Sequence, residues 1–166
     1  MKKVFSTSEW AELLHLRKKW QKDGDTLVFT NGCFDGLHPG HLALLDHARK
    51  QGEWVVVGLN TDRGVRELKG KGRPRYPGEE RARDILNSGD ADAVVFFDEE
   101  TPEKIIARLQ PDVLIKGSDY RMEDIVGAGE VKKRGGKVLI FPRVAGFSSS
   151  GILIRDAKPK NKTLKS

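Results

Sequence analysis

The 166-residue chain predicts an α/β fold, a Rossmann-like doubly wound sheet of five parallel strands in a single domain. Three observations lead there. Five short, nearly continuous apolar runs recur along it, each the form of a buried strand: Thr26–Phe29, Trp54–Asn60, Ala93–Phe97, Asp112–Lys116 and Val138–Phe141. Helical stretches of about 8–14 residues separate them, which is the alternation of βαβ units. Right-handed crossovers then place helices on both faces of a parallel sheet.

Taken in order, Ser6 to about Gln21 reads as an amphipathic helix with Trp10, Leu13, Leu14, Arg17 and Trp20 on one stripe. Ser6 or Ser8 is suited to cap it, and Lys22-Asp23-Gly24-Asp25 ends it. His15 sits among charged neighbours and reads as a surface residue. The first strand follows, then a turn, then a helix from His38 to Gln51 with Leu42, Leu44, Leu45 and Ala48 at helical spacing. Pro39 fits its first turn, where a missing N–H has no intrahelical partner to lose. The second strand closes at Asn60-Thr61-Asp62, at the carboxyl end where open α/β sheets bind ligands.

Residues 69–78, rich in Gly and Pro, predict an irregular segment carrying Lys69, Lys71, Arg73 and Arg75. It reads either as a solvated loop or as a lid that brings cations over phosphates. A helix resumes from Glu79 to Asn87. Arg81 and Arg83 lie near its positive end, which predicts an anionic partner for at least one of them. After the third strand come a helix from Pro102 to Leu109, the fourth strand with Gly117-Ser118-Asp119-Tyr120, and a helix over Gly127–Arg134. The fifth strand leads to Gly146-Phe147-Ser148-Ser149-Ser150-Gly151, whose hydroxyls and free N–H groups at a helix start form an anion site.

The length suits one domain, expected over residues 1–157 with the N-terminal helix packed on it. The net charge of +6 suggests a nucleic-acid binder at first sight. Lys158, Lys160, Lys162 and Lys165 supply four of those six charges, so residues 158–166 read as a basic, disordered tail. The rest is nearly balanced, and nucleic acid is not an expected partner. No apolar run reaches the roughly 18 residues of a membrane span, and the first residues lack the apolar core of a signal peptide. A single cysteine, Cys33, fits a reducing cytoplasm.

The chemistry concentrates in Phe29-Thr30-Asn31-Gly32-Cys33-Phe34-Asp35-Gly36-Leu37-His38-Pro39-Gly40-His41. A strand, a Gly-containing turn and a helix start present free N–H groups and a positive dipole end to an anion. His38 and His41 can both donate to one phosphate chain, and Gly32 and Gly40 allow close approach. A metal site from Cys33, Asp35, His38 and His41 is the weaker alternative, because one turn spaces too few ligands. No Gly-x-Gly-x-x-Gly follows the first strand, and no P-loop is present.

The His-x-Gly-His pattern after a Gly-x-Phe-Asp turn resembles the nucleotidylyltransferase superfamily related to class I aminoacyl-tRNA synthetases. Asn31–Asp35, Leu68-Lys69-Gly70 with Arg73-Pro74, and Val113–Tyr120 look like the heptose 1-phosphate adenylyltransferases within it. Arg143–Ser150 resembles the second superfamily signature, but carries Val144-Ala145 where glycerol-3-phosphate cytidylyltransferases have Thr-Glu. The resemblance implies transfer of a nucleotidyl group from ATP to a sugar 1-phosphate, releasing pyrophosphate. A CTP-dependent alcohol-phosphate cytidylyltransferase and a non-catalytic nucleotide-binding module are the alternatives. The roles it implies are catalysis by His38, His41 and Lys69, and nucleotide binding by Thr30, Asn31, Gly32, Phe34, Gly40, Lys116, Gly117, Asp119, Ser148, Ser149 and Ser150. Asn60, Asp62, Arg73 and Arg81 would hold the acceptor, and Asp35 reads equally as a site residue or as a support of its loop. Mg²⁺ would ride on the phosphates with no protein metal site, and the superfamily often forms homodimers.

Overall fold

The computed structural model describes residues 1–118 and 121–142. Their strands are β1 (Lys3–Phe5), β2 (Leu27–Gly32), β3 (Trp54–Asn60), β4 (Ala93–Phe97), β5 (Val113–Gly117) and β6 (Lys137–Phe141). All pair in parallel, in the order β1-β4-β3-β2-β5-β6. The expected sheet is therefore present with six strands rather than five. The extra one, β1, lies at an edge and buries only Phe5, so three residues beginning at a lysine carry no periodic signal.

Helices α1 (Trp10–Lys22), α2 (Pro39–Arg49), α3 (Asp62–Lys69), α4 (Gly78–Asn87), α5 (Glu103–Leu109) and α6 (Ala128–Lys133) cover both faces. Alternation along each strand divides the core. Leu27 and Phe29 of β2 pack with Leu13, Trp20, Ile105, Ile106 and Val131, from α1, α5 and α6. Val28 packs with Leu44, Leu45, Ala82 and Ile85, from α2 and α4. α1 begins at Trp10, later than its sequence suggested, and neither serine caps it. The Ser6 N–H instead donates to Glu9 Oε1 at 2.8 Å.

The other departure concerns the 69–78 segment. Lys69 is the last residue of α3, so the irregular stretch begins at Gly70, whose φ of 94° ends the helix. α3 escapes an apolar-periodicity reading because it buries only Gly64 and Val65. Its signals are instead at its ends: Thr61 caps it by accepting from the Gly64 N–H at 3.1 Å, and a lysine and a glycine close it.

β2 is where the strand order reverses. It pairs with β3 over six residues, from Leu27–Trp54 to Gly32–Leu59. With β5 it pairs only at Val28–Val113 and Phe29–Leu114. Beyond those two pairs the strands part, opening a crevice at the topological switch point. Gly58 of β3 supports this end of the sheet. A Cβ there would lie 2.6 Å from Phe29 Cζ and 3.3 Å from Asn31 Cβ. Gly58→Ala is expected to destabilise by about 1–3 kcal/mol through overpacking, measured by denaturant unfolding.

Candidate active site

The turn after β2 is built by Asp35. Its carboxylate, 1% exposed, accepts from the Arg75 N–H at 2.8 Å, the Tyr76 N–H at 3.0 Å and Arg73 Nε at 2.8 Å. Burial alone would raise its pKa; these N–H donors and the Arg73 charge outweigh it and hold the carboxyl below its ordinary value. Asp35 ties the β2–α2 turn to the 70–77 loop, and it also lines the main cavity of the site, so both readings of it have a structural basis. Phe34 sits in the left-handed region at φ 46°, which turns its ring onto His41 at a centroid distance of 4.9 Å.

His38 is the N-cap of α2, and its Nδ1 accepts the His41 backbone N–H at 3.3 Å. An accepting Nδ1 carries no proton, so the ring proton of neutral His38 is on Nε2. The two imidazoles stack with centroids 3.7 Å apart at the first turn of α2, which also contains Gly40. Burial, then the charges of His38 and Lys69, push His41 down to about 3, so it is a neutral ring near neutral pH. Its Nδ1 is buried with no hydrogen-bond partner among the described residues.

A cavity of about 490 Å³ runs across the carboxyl ends of β2, β3, β4 and β5. Asn31, Gly32, Phe34, His41, Asn60, Lys69, Lys116 and Gly117 all line it, which gathers much of the expected site. Thr30 lies buried one residue before Asn31, with its hydroxyl unpartnered. The cavity also has a wall that sequence reasoning missed: Phe97, Glu100, Thr101 and Pro102 after β4, and Asp124, Ile125 and Val126 after β5. Topology was the available signal, since segments following parallel strands gather on one side of the sheet.

The expected acceptor residues are dispersed. Asn60 is in the cavity, where its Oδ1 accepts from the Cys33 thiol at 3.6 Å. Asp62 and Arg73 line a second cleft of about 410 Å³ together with Arg66 and Arg75. Arg81 is 1% exposed and lies behind the site. Its guanidinium donates to the carbonyls of Tyr76 (2.9 Å), Cys33 (2.8 Å) and Asn60 (3.0 Å), and to Asp62 at 2.6 Å. Asp62 is thus the anion that the position of Arg81 predicted. This one side chain fastens the β2–α2 turn, the end of β3, the start of α3 and the following loop.

Among the described residues, no group of three His, Cys, Asp or Glu side chains converges to hold a metal ion. Asp119, Ser148, Ser149 and Ser150 lie outside the described residues. No helix of the described part is long and apolar enough to cross a membrane.

The family model described as cytidylyltransferase-like matches residues 29–157. The chain is 49% identical over 143 residues to Bifunctional protein HldE of Koribacter versatilis, a match covering 86% of this chain and 29% of that protein. It is 42% identical over 153 residues to Bifunctional protein HldE of Magnetococcus marinus, covering 92% of this chain and 31% of that one. The chain therefore spans about a third or less of the length of these relatives. Among solved structures, the lipopolysaccharide core biosynthesis protein from Thermoplasma volcanium superposes with a TM-score of 0.59 at 25% identity, over 73% of this chain and 98% of that one. A pantoate-β-alanine ligase from Francisella tularensis, solved with β-γ ATP and β-alanine, shares the fold at a TM-score of 0.62 and 15% identity, over 100% of this chain and 78% of that one.

Proposed function

The chain belongs to the cytidylyltransferase-like family, and we propose that it transfers the adenylyl group of ATP to a sugar 1-phosphate. The acceptor we assign is D-glycero-D-manno-heptose 1-phosphate, and the products are ADP-heptose and pyrophosphate. The observation that carries the reading is one cavity at the switch point, lined by His41 and Lys69, with His38 stacked on His41. The similarity to the HldE proteins over most of the chain supports it, as do the sequence blocks resembling heptose 1-phosphate adenylyltransferases.

In this reading a phosphate oxygen of the sugar phosphate attacks the α-phosphorus of ATP. The new P–O bond forms as the bond to pyrophosphate breaks, and pyrophosphate leaves with the electron pair. The nucleophile is already an anion, so no general base is required. Rate comes from alignment and from stabilising charge on the α-phosphate and the leaving group. His38 and His41 donate N–H groups to the triphosphate, and the backbone of Gly32 and Gly40 lets it approach. Gly117 and Asp119 are assigned to the nucleoside, and Ser148, Ser149 and Ser150 to the phosphates, by the resemblance of their sequence blocks. Asn60 faces the acceptor, whereas Asp62, Arg73 and Arg81 act by holding the turn, its loop and α3 in place. Mg²⁺ would enter as part of the metal–ATP substrate, since among the described residues no three His, Cys, Asp or Glu side chains converge to hold a resident ion. The same proposal takes residues 1–157 as the domain, the cytoplasm as its location and a homodimer as its assembly, the last tested by sedimentation velocity.

Lys69 and Lys71 separate a catalytic cation from a solvated one. Lys69 lines the cavity at the end of α3, and its charge is felt by both His41 and Cys33. Lys71 is exposed and lies outside that cavity. Lys69→Ala is expected to lower kcat by about 10²-fold, and Lys71→Ala to leave kcat within about twofold. Steady-state kinetics at fixed ionic strength check this. The function itself is tested by incubating the protein with heptose 1-phosphate, mannose 1-phosphate or glycerol 3-phosphate and each of ATP, GTP and CTP. Pyrophosphate release with heptose 1-phosphate and ATP is expected; release only with CTP and glycerol 3-phosphate would replace the reading.

A further inference from the structure

Lys116 is 8% exposed at the end of β5, an unusual place for an ammonium group. It stands where β2 and β5 have parted, two residues beyond the Phe29–Leu114 pair. Its Nζ reaches across the crevice and donates to the Asn31 carbonyl at 2.9 Å and to Asn31 Oδ1 at 3.3 Å. The distance between the two positions along the chain, 85 residues, makes this a tertiary contact that no local preference dictates.

The chemistry of the contact fixes the direction of an amide. An ammonium group only donates, so the Asn31 atom beside it is the oxygen, and the Asn31 NH₂ is turned away from it. Asn31 itself lines the cavity and is partly exposed. A carboxamide alone has two orientations of nearly equal energy at a wet surface. Lys116 keeps its 2.9 Å bond to the Asn31 carbonyl in both, but only one presents the amide oxygen to the ammonium group as a second acceptor, and the other turns an NH₂ donor onto a buried cation.

We infer that Lys116 is a positioning residue that locks the Asn31 carboxamide with its NH₂ toward the cavity, where Asn31 donates to a phosphate oxygen of the bound nucleotide. This rests on the nucleotidyl-transfer reading and deepens it. Asn31 is the group that touches substrate. Lys116 acts through it, and its buried charge adds a positive potential at the floor of a site for polyanions. A fixed donor loses little reorganisation energy in the transition state, which is why the locking raises kcat rather than only tightening binding.

The test is a double-mutant cycle with kcat and KM measured for both substrates. Asn31→Asp is the informative single variant. It keeps an oxygen on Lys116, as an ion pair, so thermal melting stays at or above the parent. It replaces the cavity-facing donor with an anionic oxygen, and kcat is expected to fall about 10²–10³-fold. Lys116→Met is expected to lower kcat with little change in the KM for ATP, and Lys116→Arg to restore part of it. In an Asn31→Ala background, Lys116→Met should cost less than about twofold more. Full multiplicative loss in that background, or a raised KM for ATP in Lys116→Met alone, would mean that Lys116 contacts the nucleotide itself and would overturn the inference. Retained kcat in a well-folded Asn31→Asp variant would overturn it too. A wild-type protein inert with every acceptor refutes the enzymatic reading separately. The same cycle scored on ATP dissociation constants then decides the Asn31–Lys116 pair: loss of affinity in Asn31→Asp with non-additivity upholds it, and additivity refutes it.

Discussion

His41→Ala is expected to lower kcat by about 10²–10³-fold with a melting temperature close to that of the parent. His41 lines the cavity, stacks on His38 at 3.7 Å, and leaves its buried Nδ1 without a partner among the described residues. An orphaned polar atom in a ligand cavity is poised for a substrate rather than for the fold. Truncation therefore removes a donor to the triphosphate and costs the fold little beyond a ring contact with Phe34. His38→Ala should lower kcat similarly and destabilise as well, by about 1 kcal/mol, because His38 also caps α2. His38→Asn separates the two roles: asparagine is a good cap, so stability returns while turnover stays low. Single-turnover pyrophosphate release beside thermal melting reads both effects. Near-normal rates in folded variants would remove the histidines from the mechanism.

Asp35→Ala is expected to have the largest effect on stability, about 3–5 kcal/mol. It strands the Arg73 guanidinium, which is only 19% exposed, and the Arg75 and Tyr76 N–H groups that Asp35 accepts from. The loop between α3 and α4 loses its tie to the catalytic turn, so activity falls with stability. Asp35→Asn keeps the shape and an acceptor oxygen but removes the charge, and should recover part of the loss. The pH dependence follows in sign. The carboxyl titrates lower in the folded protein than its ordinary 3.8. Its contribution is therefore fully present above that value and is lost as pH falls through the folded-state pKa. Denaturant unfolding of parent and Asp35→Asn as acid is added should show the parent losing its advantage at low pH. A difference that stays constant with pH would show that charge is not what Asp35 supplies.

The parts of this molecule that local chemistry determines were legible in the sequence. β2, its turn and α2 could be placed because an apolar run, a glycine turn, Pro39 and two histidines follow each other within fifteen or so residues. The doubly wound sheet was legible because its strands are apolar runs of five to seven residues, except for β1. There, one buried phenylalanine next to an exposed valine gives no pattern, and the strand exists because β4 offers it an edge. α3 was hidden because helices are usually found by an apolar stripe and this one has almost none. Its caps, Thr61 and Lys69-Gly70, were the signal to weigh. Arg81 was recognisable as an arginine in need of an anion, but not as a buried hub, since its partners Cys33 and Asn60 come from the turn after β2 and the end of β3, far from α4 in the chain. The Asn31–Lys116 bridge and the cavity wall after β4 and β5 depend on strand order, which composition and spacing do not encode.

The central claim is that a sugar phosphate oxygen displaces pyrophosphate from the α-phosphorus of ATP in the cavity lined by His41 and Lys69. ³¹P NMR of the protein with ATP and heptose 1-phosphate carrying ¹⁸O in its phosphate tests it most directly. The account predicts two coupled phosphate signals of ADP-heptose that retain the label, with an equal amount of unlabelled pyrophosphate, and no such product from the His41→Ala protein on the same timescale. Formation of ADP with phosphate transferred to the sugar, label appearing in pyrophosphate, or unconsumed ATP beside a folded wild-type protein would contradict it.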